Sequence, residues 1–298
     1  MNVFIIGGSG YIGRSVTRQI LAEGHSVTAL ARSETSAARL PMGAVRVVRG
    51  TVEDLAAMQQ GLATADAAIY LAIQGAQGAS DADRVALRAI TDRFRGTDKP
   101  FLVTSGIGVY AGAPAGVVDE TTSLEHAPSF EKRVALEQDL FATGARVVVI
   151  RPSMVYGQGN ASPILLGLLQ HARERGEALV LEAGANLMPS VHVDDLASVF
   201  TLALAKAPAG TVLNVAAAAV TERDLARAVS YAAGLGGEIV ARSPNEILAA
   251  LGPLGGALMM DLRLSNFSIT QMLGWTPRGP SVLYELLHGT LSQTLHVA

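Results

Sequence analysis

The sequence predicts an α/β fold in which a doubly wound parallel sheet is joined to a smaller mixed part. Short runs of β-branched residues alternate with amphipathic helical patterns over the first half of the chain. These runs are apolar at successive positions, as in parallel strands that are buried on both faces. A glycine-rich turn follows the first run, as in nucleotide-binding βαβ units. With 298 residues, the chain is long enough to bury a sizeable core.

The first strand and the first helix have the clearest patterns. Asn2–Ile6 is mostly apolar, and Tyr11–Ala22 is helical because Ile12, Val16 and Ile20 recur on one face. The later predicted strands cover residues 26–30, 45–49, 67–71, 101–104 and 146–150. The predicted helices between them start at residue 54 or cover 82–95 and 129–142. This alternation is typical of the Rossmann fold, with helices on both faces of the sheet.

The alternation loosens in the second half of the chain. Pro163–Arg175 has a helical pattern, Thr211–Val215 is strand-like, and Asp194 is placed to cap a helix between them. We therefore predict two parts. The dinucleotide-binding domain would cover 1–152 with 191–215 returning to it, and the substrate-binding part would cover 153–190 and 216–298.

Composition and charge exclude several kinds of function. Hydrophobic residues make up 49% of the chain and charged residues 16%, which excludes intrinsic disorder. Lys and Arg number 23 against 26 Asp and Glu, so we expect no nucleic-acid partner. The chain has no cysteine and its six histidines are scattered, so we expect no metal site. There is no membrane-length apolar run and no basic segment at the start, so we expect a cytoplasmic protein without a signal peptide.

The turn after the first strand has the spacing G-x-x-G-x-x-G, formed by Gly7, Gly10 and Gly13. Glycines at these positions allow a tight turn, close approach of the backbone to a pyrophosphate, and close packing of helix on strand. The start of the following helix offers free N–H groups and its positive dipole end to phosphates. We therefore predict a dinucleotide cofactor that contacts Gly7, Ser9, Gly10, Tyr11, Ile12 and Gly13.

The end of the second predicted strand distinguishes NADP(H) from NAD(H). A carboxylate there would hydrogen-bond the 2′-hydroxyl of the adenosine ribose, whereas an arginine would bind a 2′-phosphate. The sequence at this point is Leu30-Ala31-Arg32-Ser33, which contains no acid. The Arg32 guanidinium can form bidentate hydrogen bonds with a phosphate. We predict NADP(H) as the cofactor, with Arg32 and Ser33 at its 2′-phosphate.

Further motifs are spread along the chain, among them Ile69-Tyr70-Leu71-Ala72, Arg151-Pro152-Ser153-Met154 and Val191-His192-Val193-Asp194-Asp195. With the glycine turn, they make the sequence resemble the extended short-chain dehydrogenase/reductase family, which includes epimerases and dehydratases of sugar nucleotides. The resemblance implies that the first of these motifs lies beside the ribose and pyrophosphate and the second along the nicotinamide. The additional cofactor contacts that it implies are Thr51, Val52, Leu71, Ala72, Ile73, Thr104, Pro152, Ser153 and Met154.

The catalytic residues of that family have no direct counterpart here. The family uses a Ser or Thr hydroxyl after the fifth strand and a Tyr-x-x-x-Lys on the next helix, a motif that this sequence lacks. The family pattern places Ser129 and Arg133 at the tyrosine and lysine positions, and a shift by one residue puts Phe130 at the tyrosine position. Gly106 stands at the hydroxyl position, one residue after Ser105. The candidate catalytic residues are therefore Ser105 and Ser129.

The predicted substrate side is apolar. Residues 180–188 contain no Lys or Arg and 247–260 are almost wholly apolar, so neither segment suits a diphosphate. An apolar pocket there would suit a large flat substrate. The methionines that could line it, or could simply fill the core, are Met154, Met188, Met259 and Met260. The Gly- and Pro-containing segment 106–128 is long enough to be a functional loop.

Together these patterns predict an atypical NADPH-dependent ketoreductase that transfers hydride to a carbonyl of a bulky apolar compound. An aromatic polyketide or a similar secondary metabolite, as in antibiotic biosynthesis, would fit. The proton could come from water, from Ser105 or Ser129, or from a hydroxyl of the substrate. Two alternatives remain open: a non-catalytic NADP-binding regulator, and a sugar-nucleotide epimerase or dehydratase of the usual kind. The oligomeric state is not predicted.

Overall fold

A computed structural model describes residues 1–72, 79–114 and 116–294. Its strands are β1 (Asn2–Ile6), β2 (Ser26–Ala31), β3 (Val45–Arg49), β4 (Ala67–Tyr70), β5 (Pro100–Thr104), β6 (Val117–Val118), β7 (Arg146–Pro152), β8 (Met154–Gly157), β9 (Asn160–Ala161), β10 (Leu179–Leu181), β11 (Leu187–His192), β12 (Thr211–Val215), β13 (Ala218–Thr221), β14 (Val240–Arg242) and β15 (Arg263–Leu264). Its helices are α1 (Tyr11–Ala22), α2 (Glu34–Ala38), α3 (Leu55–Leu62), α4 (Asp81–Phe94), α5 (Glu131–Phe141), α6 (Pro163–Arg175), α7 (Val193–Lys206), α8 (Glu222–Ala232), α9 (Pro244–Leu251), α10 (Phe267–Leu273), α11 (Val282–Leu287) and α12 (Thr290–Thr294). Segments of 3₁₀ helix cover Ile107–Tyr110, Pro128–Phe130 and Gly252–Met259.

The central sheet has seven strands in the order β12-β7-β5-β4-β1-β2-β3. Every neighbouring pair in it is parallel; in the β1–β4 pair, for example, Ile5 lies opposite Ile69. The chain builds one side of the sheet from β1 to β3 and then crosses over to build the other side from β4. Ligands of doubly wound sheets bind at this change of direction, outside the carboxyl ends of the strands. The predicted fold class is confirmed.

Helices cover both faces of this sheet because its strands are apolar on both faces. On one face Ile5 is buried in a core that includes Val16 of α1 and Phe200 of α7. On the other face Phe4 is buried in a core that includes Leu136 of α5, together with residues of α3 and α4. The two cores fix the helices on which the candidate site depends, α1 on one side and α5 on the other.

A smaller layer is built mainly from later segments. It contains a four-stranded sheet in the order β13-β11-β8-β9, in which β11 is parallel to β8 and antiparallel to β13. Leu165, Leu225 and Ile247 belong to its own core between α6, α8 and α9. Of the segments expected to return to the first domain, β12 lies in the central sheet, whereas β11 lies in the mixed sheet. The domain boundaries given above stay a prediction.

The start of α7 differs from the capping pattern in the sequence. The helix begins at Val193, and its N-cap is His192 rather than Asp194. Nδ1 of the His192 ring accepts a hydrogen bond from the N–H of Asp194 at 3.3 Å, so the imidazole takes the role expected of a carboxylate. Asp195 is buried and accepts hydrogen bonds from two backbone N–H groups in the segment before α11, at 2.8 and 2.9 Å. The motif around His192 therefore stabilises the fold.

None of the helices in the described ranges is long and apolar enough to cross a membrane. Within those same ranges, no group of three or more His, Asp or Glu side chains is placed to hold a metal ion.

A carboxyl group is buried in the smaller layer. Glu222, at the start of α8, is 1% exposed, and its Oε1 accepts a hydrogen bond from the N–H of Leu181 at 2.6 Å. Its Oε2 has no hydrogen-bond partner among the residues described. Burial raises the pKa of Glu222 from 4.5 to about 7, against the opposing effect of the Leu181 hydrogen bond. The folded protein therefore holds this proton more tightly than the unfolded chain does.

We expect this carboxyl to destabilise the fold as the pH rises. The pKa of Glu222 is higher in the folded protein than in the unfolded chain. Protonation of Glu222 therefore contributes stability that is fully present below about pH 4.5 and is lost as the pH rises through about 7. The Glu222→Gln variant should therefore unfold with a free energy about 1–3 kcal/mol above wild type at about pH 8, and with little difference at about pH 4. Urea denaturation at both pH values measures this. The exposed Glu238→Gln is the matched control, and an equal effect of both variants would contradict the assignment.

Candidate active site

The glycine turn brings the start of α1 against β1 and β4. Gly7 has a positive φ of 85°, and its carbonyl accepts a hydrogen bond from the N–H of Gly10 at 3.0 Å. A Cβ on Gly13 would lie 2.1 Å from the Gly7 carbonyl oxygen. A Cβ on Gly7 itself would lie 2.9 Å from the backbone of Leu71. Only residues without a side chain permit this approach, and it leaves the backbone of the turn bare towards a ligand.

The start of α1 is open to an anion. Gly10 is its N-cap, no side chain caps it, and its first turn contains no acidic residue. Its first N–H groups and the positive end of its dipole are therefore available to phosphate oxygens. The side chain of Tyr11 points elsewhere, since its hydroxyl lies 2.9 Å from the carbonyl oxygens of both Gly157 and Asn160.

A cavity of about 760 Å³ lies over this turn and along the ends of β1, β2 and β4. Nine of the predicted cofactor contacts line it: Gly7, Ser9, Gly10, Arg32, Ser33, Thr51, Val52, Leu71 and Ala72. The other predicted contacts are Tyr11, Ile12 and Gly13, which run into α1, and Thr104, Pro152, Ser153 and Met154, which lie on or beside β5, β7 and β8. Ile73 lies outside the described residues. The bare glycine turn and the open helix start fit the pyrophosphate of a dinucleotide.

Two of the charged residues that line this cavity are arginines, and two others are the acids Glu53 and Asp83. Arg32 and Arg39 line it and are exposed, and neither side chain makes a hydrogen bond or ion pair within the described ranges. The nearby acid Glu34 is already paired with Arg49 at 2.5 Å. An anionic group here would therefore meet two free guanidiniums. The sequence pattern does not predict Arg39 as a residue of this cavity. Arg39 follows α2, seven positions after Arg32, and only the fold brings it to the cavity.

A row of polar residues crosses the carboxyl edge of the central sheet beside this cavity. Arg151 on β7 is paired in register with Asn214 on β12, and Ser105 extends β5 by donating its N–H to the Ile150 carbonyl at 2.7 Å. Buried hydroxyls of this region have no hydrogen-bond partner among the residues described: those of Thr104, Ser105 and Ser153. Such orphaned groups are uncommon in proteins and are candidates for contact with a ligand.

Arg151 forms the centre of a buried ion pair. Its guanidinium bonds the Glu137 carboxylate on α5 through two nitrogens, and the two side chains are 4% and 5% exposed. It also donates to the hydroxyl of Tyr110 at 2.5 Å, which in turn donates to Oδ1 of Asn214 at 3.0 Å. Burial alone would lower the pKa of Arg151, but the hydrogen bonds and the charge of Glu137 outweigh it and raise the pKa.

The two positions of the Tyr-x-x-x-Lys motif are filled differently here. Ser129 is exposed on the 3₁₀ segment before α5, whereas Arg133 is buried on α5. Burial lowers the pKa of Arg133, while the charges of Glu137 and Asp83 oppose that effect. The ring of Phe130 packs on the backbone of Gly108, where a Cβ would come within 2.4 Å of it. The structure thus places an aromatic ring, without a hydroxyl, against the loop after β5.

Gly106, at the position of the family's catalytic hydroxyl, has no side chain, and there is space for one. Gly106 has extended backbone, with φ of 177°, and a Cβ there would have only the Pro152 carbonyl oxygen within 4 Å, at 3.9 Å. The preceding residue, Ser105, has a buried hydroxyl that has no partner among the described residues.

An apolar cluster lies next to these residues, at the contact between the loop after β5 and the segment before β15. Its buried members are Val109, Tyr110, Val118 and Leu262, and its partly buried rim includes Ile107, Phe130 and Met260. The predicted loop segment 106–128 is tied to the later segment by pairing of β6 with β15. Of the candidate methionines, Met154 and Met188 are core residues of the smaller layer, and Met259 is 36% exposed.

Comparison with known proteins shows the family. The profile of the NAD dependent epimerase/dehydratase family matches residues 3–216. The chain belongs to this family. An uncharacterized protein of Schizosaccharomyces pombe is 30% identical over 96% of this chain and 98% of its own length. The resemblance found in the sequence is confirmed, and with it the NAD(P)-binding Rossmann fold.

Two further proteins that this chain is similar to differ in what their names say they act on or bind. A ketoreductase of Stigmatella aurantiaca, whose name gives a 3-oxo-4-farnesyl-dihydroquinoline-1-oxide as its substrate, is 26% identical over 71% of this chain and 67% of its own length. The crystal structure of UDP-glucose 4-epimerase from Thermotoga maritima, with UDP-glucose, superposes with a TM-score of 0.76 at 20% identity, covering all of both chains. The second likeness shows the shared fold alone.

We expect the Arg151–Glu137 pair to hold this site together. Glu137→Gln would leave the buried Arg151 charge uncompensated and lower the free energy of unfolding by about 3–5 kcal/mol. Glu131→Gln, an exposed change on the same helix, should have little effect. The double variant Arg151→Met with Glu137→Leu removes both charges and should recover most of the loss. Guanidinium denaturation measures all three, and a Glu137→Gln variant as stable as the Glu131 control would contradict this role.

Proposed function

We propose that this protein is an NADPH-dependent ketoreductase that reduces a carbonyl of a bulky, largely apolar secondary metabolite such as an aromatic polyketide. The proposal is supported by the apolar cluster with Ile107, Phe130 and Met260 on its rim, by the buried Ser105 hydroxyl two residues before Ile107, which has no partner among the described residues, and by a sequence without Tyr-x-x-x-Lys. An apolar wall with a few polar groups is typical of sites for apolar small molecules. We further propose that the protein acts in the cytoplasm, as its composition suggests.

The proposed cofactor is NADP(H). The predicted contacts around the glycine turn would hold its pyrophosphate, and Arg32 with Arg39 would bind the 2′-phosphate. Glu34 would not repel that phosphate strongly, because Arg49 neutralises it. When bound, the nicotinamide supplies a hydride to the carbonyl carbon.

The residues of the chain would bind the substrate and deliver the proton. The apolar rim would hold the flat body of the substrate and exclude water, and the Ser105 hydroxyl would donate a hydrogen bond and then a proton to the carbonyl oxygen, with solvent restoring it. Tyr110 is not suited to this role, because its hydroxyl is engaged with Arg151 and Asn214 and burial raises its pKa despite the neighbouring Arg151 charge. Ser129 is exposed and lies outside the buried polar row.

The relative from Stigmatella aurantiaca supports this substrate class. The name of its substrate describes a bicyclic ring with a farnesyl chain, a 3-oxo group and a hydroxyl on the adjacent carbon. Such a molecule is large and mostly apolar, and its own hydroxyl can assist proton transfer to the neighbouring carbonyl.

The function is tested by mixing the protein with NADPH and a panel of quinones and polyketide-type ketones. We expect at least one of them to oxidise NADPH faster than the enzyme-free rate, with an alcohol as product. In parallel, UDP- and dTDP-sugars at millimolar concentration should not raise the melting temperature, since the apolar side offers no partners for a diphosphate. NADPH binding without turnover of any ketone would favour a non-catalytic regulator, and sugar-nucleotide stabilisation would favour an epimerase or dehydratase; either result would overturn the proposal.

Substitution of the two candidate serines separates their roles. Ser105→Ala should lower kcat about 10²-fold, the smaller end of the usual contribution of a general acid, with little change in KM for NADPH. Ser129→Ala should leave both constants near wild type because this side chain is exposed. Steady-state kinetics on the best ketone measures this, and the reverse ranking of the two variants would show that Ser129 delivers the proton.

The cofactor preference depends on Arg32. Arg32→Gln should raise KM for NADPH about tenfold or more, because a charge-assisted hydrogen bond to the 2′-phosphate is lost. KM for NADH should be nearly unchanged, because NADH has no 2′-phosphate. Arg46→Gln, an exposed charge change on β3 outside the cavity, is the matched control. A variant that loses NADH and NADPH equally would contradict binding of the 2′-phosphate by Arg32.

A further inference from the structure

A second cavity, of about 380 Å³, lies along α1. We call it the α1 groove; it is lined by Tyr11, Arg14, Arg18, Arg39, Pro41 and Gln158. It is separate from the cofactor cavity, and the two share only Arg39 among their described lining residues. Its volume is within the range of about 300–1,000 Å³ found for small-molecule sites.

The α1 groove is strongly basic. Its three guanidiniums belong to Arg14, Arg18 and Arg39, and no acidic residue lines it within the described ranges. The nearest carboxylate is that of Asp194, which is 4.0 Å from Arg18 and accepts a hydrogen bond from Gln158 at 2.7 Å. Arg14 and Arg39 make no side-chain hydrogen bond or ion pair in the part of the chain that the structure describes. The α1 groove therefore carries positive charge that the protein itself does not neutralise.

Gln158 lines the α1 groove, and its backbone and side chain are held in place by neighbouring contacts. Gln158 adopts a left-handed backbone, with φ of 57°, which is uncommon for a residue other than glycine. The Tyr11 hydroxyl lies 2.9 Å from the carbonyl oxygen of Gly157 just before it. The Gln158 side chain is fixed by its bond to Asp194. Backbone in such a conformation persists where surrounding contacts determine it and is concentrated at functional sites.

From these features we propose that the α1 groove binds a phosphate group, either inorganic phosphate or the head of a phosphate monoester. Guanidinium groups form bidentate, charge-assisted hydrogen bonds with phosphate, and several of them around one cavity suit a dianion better than a monoanion. The apolar surface of Pro41 and Leu40 beside the arginines leaves room for the organic part of a monoester. This site overlaps the proposed cofactor site at Arg39 alone among the described lining residues, since Arg14 and Arg18 do not line the cofactor cavity.

The proposal is tested by ³¹P NMR titration of the full chain with inorganic phosphate at constant ionic strength. Because phosphate can also bind at the glycine turn, the variants must separate the two cavities. Arg14→Gln and Arg18→Gln remove charge from the α1 groove alone, Arg32→Gln removes charge from the cofactor cavity alone, and Arg46→Gln removes an exposed charge from neither.

We expect Arg14→Gln and Arg18→Gln each to raise the Kd for phosphate about tenfold, and Arg32→Gln and Arg46→Gln to leave it unchanged. A titration with phenyl phosphate then identifies the source, since tighter binding than inorganic phosphate shows that the α1 groove accepts a monoester. Absence of binding to wild type, or loss of binding in Arg32→Gln with no loss in the α1 groove variants, would overturn the proposal. NADPH oxidation by ketones is measured separately, so failure of this site leaves the proposed reaction untouched.

Discussion

The candidate site depends on one buried ion pair, between Arg151 on β7 and Glu137 on α5. Removal of two such charges from water is costly, and further hydrogen bonds offset part of that cost: Arg151 donates to the Tyr110 hydroxyl, which in turn donates to Asn214. Those contacts join β7, β12, α5 and the loop after β5 at one point. These contacts hold the carboxyl edge of the sheet together at β7 and β12, and the Ser105 hydroxyl, directly after β5, has no partner among the described residues.

This arrangement also decides what chemistry the chain can supply. In the related dehydrogenases a lysine lowers the pKa of a tyrosine, whereas here the lysine position holds Arg133, whose charge is permanent at ordinary pH. The tyrosine position is taken by an exposed serine next to a phenylalanine that packs on the loop. Proton transfer must then depend on a weaker acid. On the proposed function, the site would favour a substrate whose carbonyl is itself reactive, such as a quinone or an α-hydroxy ketone.

The parts of the fold that sequence analysis predicts are those set by local patterns. Continuous apolar runs predict the central strands, and the spacing of Gly7, Gly10 and Gly13 predicts the turn that the structure shows. What was missed depends on contacts between distant segments. Glu137 has an ordinary position on an amphipathic helix, and its role becomes visible only when β7 places Arg151 opposite it. Likewise His192 caps α7 in place of Asp194, and the alanine-rich segment after β12 becomes β13 because it pairs with β11.

A crystal structure of the protein with NADP⁺ and a ketone that it binds without reacting would show directly whether Ser105 faces the substrate carbonyl. We expect the carbonyl oxygen to lie about 2.6–3.2 Å from the Ser105 hydroxyl, with the apolar body of the ketone on Ile107, Phe130 and Met260. A nicotinamide ring that faces no cavity, or a carbonyl oxygen held by a tyrosine and a lysine from elsewhere in the chain, would contradict it.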